Sequence, residues 1–281
     1  MSRTDETTPS RRLALGAGAM LGAGALLGAG GCSVHETGGS TAAPASTAED
    51  TPPPTAVRTT TPTPSASATS VGDRPPSIAQ RRGPDIVHGP RSSDEVALTF
   101  HGQGPAALTD AVLRACRTAG APVTVFAVGT WVHGDPNQAL ALQREGHELG
   151  NHTWSHQQMR QLSAAQARSE VRKGKDELVT ALGAAGWWFR PSGTPRSTAT
   201  IRDAAMAAGY ARCVSYDVDP QDYLDPGARA VRTRVRRAVR GGSIVSLHLG
   251  HPGTAEALPG ILSDLTKAGL QAVTLSHLLR D

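Results

Sequence analysis

Gly146-His147-Glu148-Leu149-Gly150-Asn151-His152-Thr153-Trp154-Ser155-His156 sets a four-residue segment, 148–151, directly ahead of two imidazoles. A helical pattern near 136–145 precedes it, so Glu148–Asn151 reads as a strand that ends where the histidines begin. On a helical turn, residues four apart share one face, and that spacing suits a single metal ion. Two loop histidines with ordinary hydrogen bonds are the plainer alternative.

Working outward, the same alternation repeats. Upstream stand a strand at 96–100, a helix near 106–118 and a strand at 122–128. Downstream comes a long helix at about 163–182, carrying Val171, Leu178 and Leu182 toward a core. Further strands are expected at 187–190, 211–216, 243–248 and 271–274, with helical segments between them. Alternating strands and helices imply an α/β fold with a parallel sheet. Repeated this often, they imply a closed or nearly closed β/α barrel whose site sits at the C-terminal strand ends. The chemically capable residues stand at such ends: His101, His152 with His156, Arg190, Asp219 with Asp222, and His248. Core packing gives no reason for several strands to deliver such groups to one rim, so an enzyme-like site is expected.

The N-terminal third differs in texture. Arg11-Arg12 opens a weakly apolar Ala/Gly/Leu run that ends at Ala29-Gly30-Gly31-Cys32. Residues 1–32 read as a twin-arginine export signal closing on a lipoprotein-like box. A lipidated Cys32 would tie the protein to the outer face of the cytoplasmic membrane, in the cell envelope. Residues 33–85 are rich in Pro, Thr, Ser and Ala and read as a disordered spacer, because they hold too little apolar surface to offset chain ordering. Residues 86–281 are left as one folded domain, expected to be a monomer.

The net charge of +4 is mild, and aromatics make up only 4% of the 281 residues. No aromatic-plus-basic platform appears, so a nucleic-acid partner is not expected. Arg229, Arg232, Arg234, Arg236, Arg237 and Arg240 surround Val231, Val235 and Val239, which recur every four residues. That pattern is an amphipathic helix docked by its valines, its basic face either solvated or drawn to anionic envelope polymers. Leu108, Val112 and Cys116 share a four-residue spacing, which puts Cys116 on a core face. Cys116 and Cys213 read as buried free thiols, with a disulfide between them as the alternative.

Five pieces in order carry a resemblance. They are Leu98-Thr99-Phe100; Gly150 to His156; Phe189-Arg190-Pro191-Ser192-Gly193; Asp219-Pro220-Gln221-Asp222-Tyr223; and Gly242-Ser243-Ile244-Val245-Ser246-Leu247-His248. Over 95–281 the chain resembles the polysaccharide deacetylase domain (NodB homology, carbohydrate esterase family 4). The resemblance implies a distorted (β/α) barrel and metal-assisted removal of acetyl groups from a glycan, such as peptidoglycan or another N-acetylated polymer. A divalent metal, commonly Zn2+, polarises the acetyl carbonyl in such enzymes. By position the resemblance makes His152 and His156 metal ligands and His248 the general acid, with Asp222 holding its ring. Arg190 would hold a base carboxylate. Tyr223, Ser192, Gly193 and Leu247 would line the substrate pocket.

The first motif departs from the family pattern. Where the family has T-F-D-D-G-P, this chain has Thr99-Phe100-His101-Gly102-Gln103-Gly104-Pro105, without either carboxylate and one residue longer. His101 could complete a three-histidine metal site, serve as a neutral base beside Arg190, or be structural. If it is a ligand, Asp219 is the candidate base by motif order. The usual R-P-P-aromatic-G has become R-P-S-G, and Ser246 replaces a usual Leu, which makes the pocket more polar. His251 is expected on the rim, His133 and His147 at surface or structural positions, and Asp217 carries no assigned role. The loss of the two carboxylates keeps a second reading open: a catalytically impaired relative that binds glycan in the envelope.

Overall fold

A computed structural model describes residues 75–281. The expected signal segment, Cys32 and most of the spacer lie outside the described residues. In chain order the elements begin with α1 (Ser77–Gln80), β1 (Glu95–Gly102), α2 (Ala106–Ala119), β2 (Thr124–Ala127), α3 (Gly129–Gly134), α4 (Pro136–Arg144) and β3 (Glu148–Asn151). A 3-10 turn at Met159–Gln161 leads to α5 (Ala164–Leu182) and α6 (Ala199–Ala207). A second 3-10 turn, Asp222–Leu224, precedes α7 (Ala228–Ala238), β4 (Ile244–His248), α8 (Pro252–Lys267), β5 (Gln271–Val273) and α9 (Leu275–Leu278).

Local chemistry fixes the helix ends. Ser163 and Gln166 form a capping box at the start of α5, and Gly183, with φ of 81°, stops it. Asp135 accepts from the Asn137 amide and Pro136 opens α4. All ladder pairings are parallel, in the order β3-β2-β1-β4, with β5 on β1. Ala97 pairs with both Ile244 and Val273, so β4 and β5 flank opposite edges of β1.

The sheet closes on itself through single bridges. Asn151 meets Phe189, Phe189 meets Cys213, Val214 meets Ile86, and His88 meets Ser243 at the foot of β4. The result is the expected barrel, distorted along one side. The expected strands at 187–190 and 211–216 make only these isolated bridges. Gly186, at φ of 67°, turns the chain just before the first of them, and Pro191 lacks an N–H just after it, so no ladder can extend there.

The period-2 rule then sorts the side chains. Leu98, Phe100, Val125, Val245 and Leu247 join the large cluster under α2, α7 and α8. Ala97, Phe126, Ile244 and Val273 turn the other way and pack with Trp188, Leu275 and Leu278 to fill the barrel. Ile78 and Ala79 of α1 pack on this inner cluster, so the end of the stretch read as spacer is part of the domain. Val231 and Val235 of α7 are buried as the spacing predicts, while Val239 lies just past the helix end and is half-buried. Cys116 and Cys213 are buried free thiols, and burial pushes both up to about 12. No described helix is long and apolar enough to cross a membrane.

Candidate active site

β1, β3 and β4 end at one rim of the barrel. His101 and His248 lie side by side in register there, so their rings reach 4.2 Å between centroids. His152 follows β3, with its ring 4.5 Å from that of His101 and 4.9 Å from that of His156. One ligating nitrogen from each of His101, His152 and His156 falls within 4.8 Å of the other two.

His152 and His156 are brought together by a loop rather than by the helical turn that their spacing suggests. Thr153 at φ of 71° and His156 at φ of 57° are both left-handed and fold the segment back on itself. That conformation is costly for a β-branched residue, so tertiary contacts must impose it. Asn151 Oδ1 accepts from the Thr153 amide, the Thr153 carbonyl accepts from Gly129, and the Thr153 hydroxyl donates to Ser192 Oγ. Gly174 of α5 comes so close that a Cβ there would sit 2.5 Å from Asn151 Oδ1. Glu170 accepts from the amide and hydroxyl of Ser155.

The electrostatics prepare the trio to offer lone pairs. Burial, reinforced by the charges of neighbouring histidines and Arg190, holds His101 well below the usual imidazole value. Burial does the same to His152, and more weakly to His156. His152 Nδ1 donates to the Arg190 carbonyl at 2.8 Å, which fixes the tautomer and turns Nε2 outward as an acceptor. That Nε2 is buried and has no partner. An orphaned acceptor beside two further imidazoles fits a divalent metal, and the backbone bond to Nδ1 is the usual support for a ligating histidine. His101 Nε2 lies 3.1 Å from the Ser246 hydroxyl, so the residue that makes the pocket more polar also orients this ring.

Beside the trio stands an imidazole–carboxylate dyad. His248 Nδ1 lies 2.7 Å from Asp222 Oδ1, and Asp222 also accepts from the His248 amide at 2.8 Å and the Thr254 hydroxyl at 2.6 Å. Asp222 is buried, whereas His248 is half-buried with one ring edge on the cleft. The cleft encloses about 490 Å3 and is lined by His101, His156, His248, Trp131 and the Gln103–Pro105 turn, among others.

The remaining expected residues fall elsewhere. Arg190 is buried but meets no carboxylate: Nη2 donates to the Ser215 carbonyl at 3.0 Å, and the guanidinium stacks 4.2 Å over Phe126. Its Nε and Nη1 have no partner, and burial pushes it down to about 9, against the pull of Tyr216 and Asp219. Asp219 is exposed, accepts from the Gln221 amide and does not line the cleft. Leu247 alternates away from His248 into the outer core, and so does not line the pocket. Ser192 is buried with its hydroxyl on the Gln157 carbonyl, locking the histidine loop rather than facing solvent. Gly193 is exposed beside Gln158. Tyr223 is 43% exposed, with its ring 5.3 Å from His248. His147 accepts from the Val123 amide and is pushed by burial down to about 4, Asp217 pairs with Arg91, and His133 pairs with Glu177 at the surface. Thr254, which braces Asp222 from 32 residues away, carries no signal in the sequence.

The family model described as polysaccharide deacetylase matches residues 88–213. A peptidoglycan-N-acetylglucosamine deacetylase of Bacillus cereus is 32% identical over 195 residues, spanning 68% of this chain and 91% of that protein. The chain belongs to the polysaccharide deacetylase family. A peptidoglycan-N-acetylmuramic acid deacetylase of Bacillus subtilis is 28% identical over 183 residues, or 65% of this chain, but the match spans only 38% of that longer protein. A family 4 carbohydrate esterase pseudoenzyme from Bacillus anthracis superposes with a TM-score of 0.65 at 24% identity, covering 69% of this chain and 68% of that one. At that identity the likeness speaks for the fold alone.

Proposed function

We propose that this polysaccharide deacetylase is a metal-dependent hydrolase that removes acetyl groups from an N-acetylated glycan of the bacterial envelope. The observation that carries the reading is the unpartnered, buried Nε2 of His152, set between His101 and His156 and next to the Asp222–His248 dyad. His101, His152 and His156 would hold the metal, with His101 in place of the carboxylate ligand that the first motif lacks. A divalent ion such as Zn2+, bound there, supplies Lewis acidity toward the acetyl carbonyl and acidifies water.

The chain supplies the proton transfers. Asp222 keeps the His248 Nδ1 proton in place, so Nε2 faces the cleft as a base. His248 takes a proton from the attacking water and returns it to the leaving nitrogen, acting as base and then acid as a single histidine does in a triad. The exposure of Asp219, and its absence from the cleft lining, favour His248 over Asp219 for the first step. Asp219 acts instead on the charge of Arg190 from the rim.

The departures in the first motif favour a second reading, a glycan-binding protein with impaired catalysis. Gly102 stands where the second family carboxylate would be, and a Cβ there would sit 2.6 Å from Val125 Cγ1, so the local packing leaves no room for it. One experiment separates the readings: metal content of the purified protein, together with acetate release from N-acetylglucosamine oligomers and from peptidoglycan. One equivalent of divalent metal with acetate release, both lost in His152→Ala, is expected. Metal without acetate release from any glycan would leave the binding protein, and absence of metal would refute the mechanism.

A further inference from the structure

The turn that supplies Asp222 carries a second carboxylate three residues on, and the strand end that supplies His248 carries a second imidazole three residues on. Asp222 opens the 3-10 turn, and the left-handed Asp225 closes it. His251 Nδ1 lies 2.8 Å from Asp225 Oδ1, nearly the spacing of the His248–Asp222 pair, and the two rings stand 5.8 Å apart. Two imidazole–carboxylate dyads thus stand side by side, and both His248 and His251 line the cleft.

Stability does not account for the second dyad. The Asp225 side chain is 65% exposed, and so exposed a polar contact contributes little to stability. Asp225 also sits at φ of 50°, a conformation that costs rather than stabilises. What the pair achieves is to hold the His251 ring, with Nδ1 engaged and Nε2 free. The same turn presents Tyr223 and Leu224, two of the three exposed large apolar side chains among the described residues. An acceptor nitrogen next to an apolar ledge is the chemistry of pyranose recognition: the ledge takes the C–H face of a ring and the nitrogen takes a hydroxyl.

We propose that His251, positioned by Asp225, forms with Leu224 a second sugar subsite, which binds the unit adjacent to the one that loses its acetyl group. The subsite rests on the glycan substrate of the reading above. His251→Ala and Leu224→Ala should each raise KM for an N-acetylglucosamine tetramer by about three- to tenfold, the worth of one neutral hydrogen bond or a partly buried side chain. The loss should fall on KM rather than on kcat, and should be absent for N-acetylglucosamine itself, which has no adjacent unit. Asp225→Asn, which keeps the left-handed turn accessible, should give a smaller loss in the same direction. An unchanged KM, or an equal fall in kcat for both substrates, would overturn the subsite. If no glycan releases acetate, the same variants are tested by titration calorimetry with the tetramer: a weaker Kd upholds the subsite without catalysis, and an unchanged Kd removes it.

Discussion

Asp222→Asn separates the two halves of the site. Asp222 accepts four hydrogen bonds: Oδ1 takes His248 Nδ1 at 2.7 Å and the Tyr223 amide at 3.1 Å, and Oδ2 takes the His248 amide at 2.8 Å and the Thr254 hydroxyl at 2.6 Å. The substitution places an NH2 opposite two of these donors. If the NH2 lies on the Oδ2 side, the Thr254 hydroxyl can turn to accept, but the His248 amide is left without a partner. If it lies on the Oδ1 side, His248 must change tautomer, and its Nε2 can no longer accept a proton. One buried donor left unmatched costs about 1–3 kcal/mol. At roughly 2–4 °C per kcal/mol for a domain of this size, the melting temperature should fall by several degrees. In either orientation the carboxylate charge that stabilises His248 when it takes up a proton is gone, so kcat should fall by about 10²- to 10⁴-fold. Metal content should not change, because Asp222 lies outside the histidine trio. Acetate release, thermal melting and metal analysis on one preparation check all three. A variant that keeps wild-type kcat would refute the role of the dyad, and one that loses its metal would refute the division of labour.

Gly174→Ala, a change that stabilises an ordinary helix by about 1 kcal/mol, should here cost about 1–3 kcal/mol, because the new Cβ meets Asn151 and the Thr153 backbone; thermal melting gives the sign directly. Cys116 and Cys213 should stay unmodified by a thiol reagent at pH 8 in the native protein and react fully once it is denatured, since both thiols are buried and pushed up to about 12. The Arg280 guanidinium, helped by His277, holds Glu95 below its usual carboxylate value against the opposing effect of burial. A lowered folded value contributes stability that is present above the unfolded pKa and is lost as pH falls through the folded one. The melting-temperature gap between wild type and Glu95→Gln should therefore be largest near neutrality and close in acid.

The barrel was legible because its strands are short apolar runs that end in polar chemistry. Glu148–Asn151 matches β3 residue for residue, and the expected strand at 243–248 differs from β4 by a single residue. Residues 187–190 and 211–216 have the same texture, yet form only isolated bridges; at 187–190 the flanking Gly186 and Pro191 act on the backbone and leave the hydrophobic pattern intact. Strand ends put His101 on the same rim as His152 and His156, and the family resemblance added its reading as a third ligand. Two placements were not legible. The histidine spacing suggested a helical face, where the chain uses a left-handed loop dictated by α5 and Ser192. Motif order suggested a pocket role for Leu247, where strand alternation sends it to the outer core. Thr254 and the Asp225–His251 dyad depend on contacts across 26 to 32 residues, which no local pattern encodes.

The left-handed Thr153 has a consequence for the order of assembly. Its conformation is held by Gly129, Asn151, Gly174 and Ser192, which come from four separate stretches of the chain. The trio therefore takes shape only after β3 is paired, α5 is docked and the loop after Phe189 is in place. A small zinc finger folds around its ion, whereas under the proposed function this domain would build its cradle first and take up the ion last. Chelation should then leave the folded body intact, and metal uptake would become a clock for the last step of folding.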